Sequence, residues 1–309
     1  MPRYVTRGRK TRQSRYKKRA PIRKYRRPTR PTRKRYGGRM SKKMLLNVTS
    51  TKKRDTMMCL TNSTASSQTG NTTYNNSAAV ITGGLPDTTA ATFLWCSTAR
   101  DNTTALNGPA GTKFSLAART ASACYMVGLS EKIEIQCNTG MPWQWRRICF
   151  TSKGGSLVPQ TTSFTSASET SNGFARMMNQ IAGNPALNPQ YLLYTIIMKG
   201  QVGTDWVDPI TAPTDNSRVT IKYDKTITLS SGNEDGFIRT YKRWHPMGKT
   251  LVYDDDELGG GTNPGIYSVD GKAGMGDYYV VDIFRARQGS TTSDQLSVRP
   301  QATLYWHEK

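Results

Sequence analysis

The sequence predicts an all-β body of two packed antiparallel sheets with long loops and one short helix, preceded by a disordered basic arm. Three observations carry that prediction. Positive charge is gathered at one end of the chain, the rest breaks into short runs that alternate apolar and polar residues, and clusters of Gly, Pro, Asn, Ser and Thr separate those runs.

The arm comes first. The 309 residues include 44 Lys and Arg against 21 Asp and Glu. Of these bases, 23 lie between Met1 and Arg54, where no acid occurs; the other 21 balance all 21 acids, the first of which is Asp55. The expected division is therefore an arm over 1–54 and an electrically neutral body over 55–309. From Arg7 to Lys43 apolar residues are almost absent and like charges repel. Such a segment cannot bury enough surface to offset the entropy of ordering it. Pro21, Pro28, Pro31 and the pair Gly37-Gly38 further discourage helix.

The chemistry of the arm suits nucleic acid. Arginine outnumbers lysine there, and a guanidinium both bridges phosphate oxygens and stacks on bases. Tyr4, Tyr16, Tyr25 and Tyr36 recur among the cations as stacking surfaces for unpaired bases. The expected contacts are these tyrosines with Arg3, Arg7, Arg9, Lys10, Arg12, Arg15, Lys17, Lys18, Arg19, Arg23, Lys24, Arg26, Arg27, Arg30, Arg33, Lys34, Arg35 and Arg39. No groove-reading helix is present, so binding should ignore sequence and weaken steeply with salt. Lys17-Lys18-Arg19, Arg23-Lys24, Arg26-Arg27 and Arg33-Lys34-Arg35 would also serve as a nuclear localisation signal for import receptors. A membrane partner is not expected. The arm has no apolar face or lipidation signal, and no stretch approaches the roughly 20 residues a span needs.

In the body the candidate strands are Thr56–Thr61, Thr92–Thr98, Ala121–Gly128, Lys132–Asn138, Trp145–Ser152, Leu192–Gly200, Arg218–Leu229, Phe237–Trp244, Thr250–Tyr253, Tyr278–Arg287 and Ala302–His307. Val219, Ile221 and Tyr223 alternate with Thr220, Lys222 and Asp224; Leu304 and Trp306 oppose Tyr305 and His307. The one expected helix follows Asn172, with Phe174, Met177, Met178 and Ile181 on a stripe and Gly183 as its stop. Long loops fall at 62–90, 99–120, 153–171 and 254–276. The neutral polar stretch Asn62–Ser77 suits an assembly surface or a solvent-facing exterior, or is plain slack.

Trp143, Trp145, Arg146 and Arg147 form a small basic-aromatic group. On a strand, Arg146 and Ile148 share one face, and Trp145 and Arg147 the other. Arg146 and Arg147 are added to the expected nucleic-acid contacts, with Trp145 as ordinary core the alternative.

Catalysis is not expected. The histidines are two, His245 and His307, and no GxSxG, HExxH or GxxxxGK[ST] pattern occurs. Cys59, Cys96, Cys124, Cys137 and Cys149 include no CxxC pair, so buried reduced thiols are expected rather than a disulfide framework or zinc site. The run Asp254-Asp255-Asp256-Glu257 lacks the alternating ligand order of a calcium loop. A solvated loop or a contact to a neighbouring subunit is expected ahead of a metal. No cofactor is expected.

An arginine- and tyrosine-rich arm followed by a neutral β-rich body resembles the coat proteins of small viruses with circular single-stranded DNA. The nearest resemblance is to the genomoviruses, a geminivirus-like group. It rests on Pro2-Arg3-Tyr4, Tyr25-Arg26-Arg27-Pro28-Thr29-Arg30, Arg54-Asp55-Thr56, Phe93-Leu94-Trp95 and Tyr278–Arg287. The resemblance implies an eight-stranded antiparallel jelly roll and a closed T=1 icosahedral shell of sixty copies. It also implies an arm laid on viral single-stranded DNA inside the virion, and import into the host nucleus for assembly. A geminivirus coat protein would carry a zinc-finger-like Cys/His arrangement, and this chain departs from that pattern. Sixty copies with 23 arm cations each supply roughly 1,400 charges, comparable with a genome on the order of one to a few thousand phosphates. The competing expectation is a cellular chromatin- or ribosomal-type protein, which would usually spread its cations over the folded part.

Overall fold

A computed structural model describes residues 41–68, 73–84, 90–158, 164–181 and 189–309. The expected arm contacts from Arg3 to Arg39, and with them the whole localisation signal, lie outside the described residues. The chain divides into two compact units, Met1–Leu45 and Leu46–Lys309.

Helix α1 (Lys42–Thr49) opens at Ser41, whose Oγ accepts a hydrogen bond from the Met44 amide at 3.2 Å, a side-chain N-cap. The first strand, β1 (Thr51–Met57), starts before residue 54, and Lys53 within it is buried. Ordered backbone therefore reaches back into the segment expected to be arm. The remaining elements are β2 (Cys59–Thr61), β3 (Ala79–Thr82), β4 (Ala91–Cys96), β5 (Ala123–Cys137), β6 (Trp143–Ser152), β7 (Glu169–Thr170), β8 (Gly173–Phe174), β9 (Arg176–Met178), α2 (Pro189–Ile197), β10 (Thr220–Leu229), β11 (Phe237–Val252), β12 (Asp256–Leu258), β13 (Gly261–Asn263), β14 (Asp277–Ala286) and β15 (Gln295–Glu308). The described body is mostly β, and its two main sheets are antiparallel throughout. The first runs β1-β15-β5-β11, with β3 also pairing β15; the second runs β10-β6-β14-β4.

Two apolar clusters fill the space between these sheets. One gathers Trp95, Met126, Leu129, Val280, Leu304 and Trp306; the other gathers Phe93, Ile133, Ile135, Trp145, Phe284 and Val298. A third cluster lies on the far side of the second sheet. There Ile148, Phe150, Tyr279, Val281 and Ile283 pack against Leu193, Tyr194 and Ile197 of α2 and against Phe164, Trp206 and Ile210 of the long connections. Strands β4, β6 and β14 of the second sheet are thus covered on both faces, which is why Asp277–Phe284 reads as eight consecutive buried residues. Among the described residues the first sheet is covered on one face only, and its strands keep the half-buried alternation: in β15 the even-numbered residues from Leu296 to Glu308 are all buried and the odd ones are not.

Several expectations are corrected. The apolar stripe from Phe174 to Ile181 is not helical: Gly173–Phe174 and Arg176–Met178 are strands, and β9 pairs in parallel with β2. Extended backbone there carries Arg176 into the core between the sheets, where carboxylates receive it. A helix lies instead at Pro189–Ile197, overlapping most of the expected strand Leu192–Gly200. Leu193 and Ile197 sit one helical turn apart and are both buried, with Pro189 at the first helical position, where its missing N–H costs nothing. Two expected breaks vanish. Ala121–Gly128 and Lys132–Asn138 merge into β5, and Phe237–Trp244 and Thr250–Tyr253 merge into β11. The breakers Pro246 and Gly248 are absorbed by a register shift between Pro246 and Lys249, with Gly248 at a φ of 63° that its missing Cβ permits.

Candidate nucleic-acid interface

Arg146 and Arg147 are not available to nucleic acid. The predicted parity holds, but each guanidinium is buried and engaged. Arg146 points into the covering layer, where Nε and Nη2 donate to Asp224 at 2.9 and 2.7 Å, and Nη1 donates to the carbonyls of Pro209 and Ala212 at 2.8 and 2.7 Å. Arg147 points between the sheets. Its Nε and Nη2 donate to the two oxygens of Asp282 at 2.7 and 2.8 Å, and Nη1 donates to Glu131. Arg176 closes a ring by donating to Glu131 at 3.0 Å and to Asp282 at 2.9 Å. These four side chains, two of each sign, are at most 3% exposed. A buried charge is tolerable when its partners neutralise it and satisfy its hydrogen bonds, as they do here.

The ring governs its neighbours. Burial pushes the Asp282 carboxyl up, but the guanidiniums of Arg147 and Arg176 outweigh it and hold the group at about 2. Burial, reinforced by Arg147, pulls His245 down to about 4. Cys149 Sγ lies 3.8 Å from His245 Nδ1, a pairing that could serve nucleophilic chemistry. Burial lifts this thiol to about 12, however, so the proton stays on sulfur and the imidazole stays neutral. The pair is inert. All five cysteines are buried and free of disulfides.

The acidic run 254–257 is anchored within the chain. Arg119 donates to both oxygens of Asp255, at 2.6 and 2.8 Å, and its guanidinium lies 4.0 Å from the centre of the Tyr253 ring. Among the described residues no group of three or more His, Cys, Asp or Glu converges as metal ligands would.

Five exposed cations that the expected contacts leave out lie on the open face of the first sheet. Lys52 and Arg54 of β1, Arg299 of β15, Lys132 of β5 and Lys242 of β11 all point outward from it, with Glu134 the acid among the outward positions. Register brings them together: Lys52 faces His307, Arg54 faces Tyr305, Lys132 is flanked by Gln301 and Lys242, and Arg299 faces Glu134. The signal was present as alternation in each strand. Only the strand order shows that the polar halves add up to one surface.

No protein-family model matches the chain, and no curated protein matches it in sequence.

Five cations against one carboxylate, on a face that no other layer of the described residues covers, favour a polyanion. Their field reaches about one Debye length, roughly 10 Å at 0.1 M salt.

Proposed function

We propose that the chain is a non-enzymatic coat protein, a jelly-roll subunit that assembles into a small closed shell and packages single-stranded DNA through its basic arm. The observation that carries this reading is a nesting of ladders. Take the eight long strands in chain order, β1, β4, β5, β6, β10, β11, β14 and β15. The first pairs the eighth, the second the seventh, the third the sixth and the fourth the fifth, and successive pairs alternate between the two sheets. That nesting supports a jelly roll, in which one long antiparallel hairpin is wound into two sheets. The fold alone does not assign a function. The charge supports the reading in combination with it: 23 cations precede Asp55, three of them within β1, and the charges of the residues that follow cancel, so that copies can pack against one another.

In this reading the arm lies inside the shell, and release of counterions from phosphate drives packaging. Its basic clusters direct the subunit to the host nucleus through import receptors, and the partners are further copies of the chain and the viral DNA. The competing chromatin- or ribosomal-type reading fits poorly with a neutral body. Negative-stain microscopy of the purified chain, with and without nuclease, is the test. Uniform small spheres with a protected DNA content are expected. A chain that stays monomeric under every ionic condition overturns the proposal.

A further inference from the structure

We propose that the open face of the first sheet is a second, arm-independent site for single-stranded nucleic acid, with Trp244 and Tyr305 as its base-stacking element. The choice of polyanion rests on the nucleic-acid reading of the arm; the geometry of the site does not.

Trp244 is the anomaly that motivates the proposal. Of the six tryptophans, five are buried, while Trp244 is 49% exposed in the middle of β11. Its indole is nevertheless held. A Cβ at position 128 would fall 2.6 Å from Cζ2 of Trp244, so the ring rests on β5 where Gly128 leaves room for it. Tyr305 flanks it, with ring centroids 5.9 Å apart and planes inclined at 57°. An aromatic surface fixed from beneath and left open above is ready to receive another flat ring at little cost in ordering.

A second aromatic station lies beside the first. Tyr125, 42% exposed, and His307 have ring centroids 6.1 Å apart and planes inclined at 36°. His307 is two residues beyond Tyr305, about 7 Å along an extended strand, a spacing suited to consecutive unstacked bases. Cations stand where a backbone would run: Lys52 and Arg54 face His307 and Tyr305 across the ladder, and Lys132 and Lys242 are adjacent in register on β5 and β11. The chain that carries the arm's cations enters the body through β1, a strand of this same sheet.

Stacking selects unpaired bases, since every base has a face to offer but a duplex hides it. The site is therefore expected to prefer single strands without reading sequence. Five cations give a log–log salt slope of about −3.5 for a single strand, shallower than the arm's.

The test uses the full chain, because Trp244 is the one exposed tryptophan and reports on its own surroundings. Oligo-dT of about 20 nucleotides is titrated while tryptophan emission is followed, with a duplex of equal length as the comparison. Saturable quenching by oligo-dT, weak quenching by duplex, and loss of the quench in Trp244→Phe are expected. The double variant Lys132→Glu/Lys242→Glu should weaken the quench-detected binding about tenfold and make its salt slope shallower by about 1.4. Oligo-dT that binds, followed by anisotropy, with tryptophan emission unchanged would assign all binding to the arm and overturn this inference while leaving the coat reading intact. Failure of the full chain to bind oligo-dT at all would defeat the arm reading and this inference together. Quenching that tracks protein concentration rather than oligonucleotide would mark the face as a contact between copies, and would also overturn the inference.

Discussion

Arg147 and Asp282 face each other across neighbouring strands as a two-pronged ion pair, Nε to Oδ1 at 2.7 Å and Nη2 to Oδ2 at 2.8 Å, sealed between the sheets. Glu131 from the opposite sheet and Arg176 from β9 complete the ring, so one polar device joins both layers of the sandwich. Removing one member leaves its partners charged and buried. Arg147→Met should lower the unfolding free energy by about 3–5 kcal/mol, measured by urea denaturation. A loss below about 1 kcal/mol would mean the ring relaxes or admits water.

His245 should make the body sensitive to mild acid. Its imidazole is held at about 4, against about 6.5 in an unfolded chain. Between those values the unfolded state binds a proton that the folded state refuses, so stability is intact above pH 6.5 and falls as pH drops toward 4, by about 3 kcal/mol in all. Asp277 works in the opposite sense. Burial raises it to about 6, so its contribution is fullest at low pH and is lost as pH rises through 6. Denaturation curves from pH 7 to 4 should therefore show a steeper acid loss in Asp277→Asn and a flattened or reversed one in His245→Phe. Identical slopes in the three proteins would refute the assignment.

Lys52 and Lys53 are neighbours in sequence with opposite fates. Lys53 Nζ is buried, 3.1 Å from Glu308, and donates to the Ala118 carbonyl at 2.7 Å. Lys53→Met should cost about 3 kcal/mol by stranding Glu308, whereas Lys52→Met should stay within about 0.5 kcal/mol. Likewise, deletion of residues 1–40 should leave the melting temperature of the body nearly unchanged, and deletion of 1–54 should abolish cooperative melting because it removes the first four of the seven residues of β1, buried Lys53 among them.

Arg119 fastens the acidic loop through Asp255 and through the Gly265 carbonyl, which it meets at 3.2 Å. Arg119→Ala should loosen the β12–β13 hairpin. Limited proteolysis between Asp254 and Gly265 should accelerate at least several-fold while cleavage elsewhere stays constant; an unchanged pattern would show that the hairpin holds itself.

The chain's local chemistry was readable in advance. Val219, Ile221 and Tyr223 alternate with polar neighbours whatever surrounds them, and 23 cations without an acid before Asp55 are a property of composition. Alternation also separated Arg146 and Ile148 from Trp145 and Arg147 correctly. It could not say that both faces of that strand are covered, because Pro209 and Ala212, whose carbonyls receive Arg146 from the covering connection, lie more than sixty positions away. The helix was misplaced for a related reason. The stripe from Phe174 to Ile181 suits a helix locally, but Arg176 within it is claimed by Glu131 and Asp282 from two other strands.

The amino-acid order by itself therefore determined the β character of the body, the parity of its strands and the gathering of 23 cations ahead of the first acid, since each is a property of composition or of neighbours a few residues apart. Only the tertiary structure decided which polar faces meet solvent, which arginines disappear into the core, and that Trp244, Tyr305 and five scattered cations share one surface. Those facts depend on which strand lies beside which, and strand order is set by contacts between distant residues.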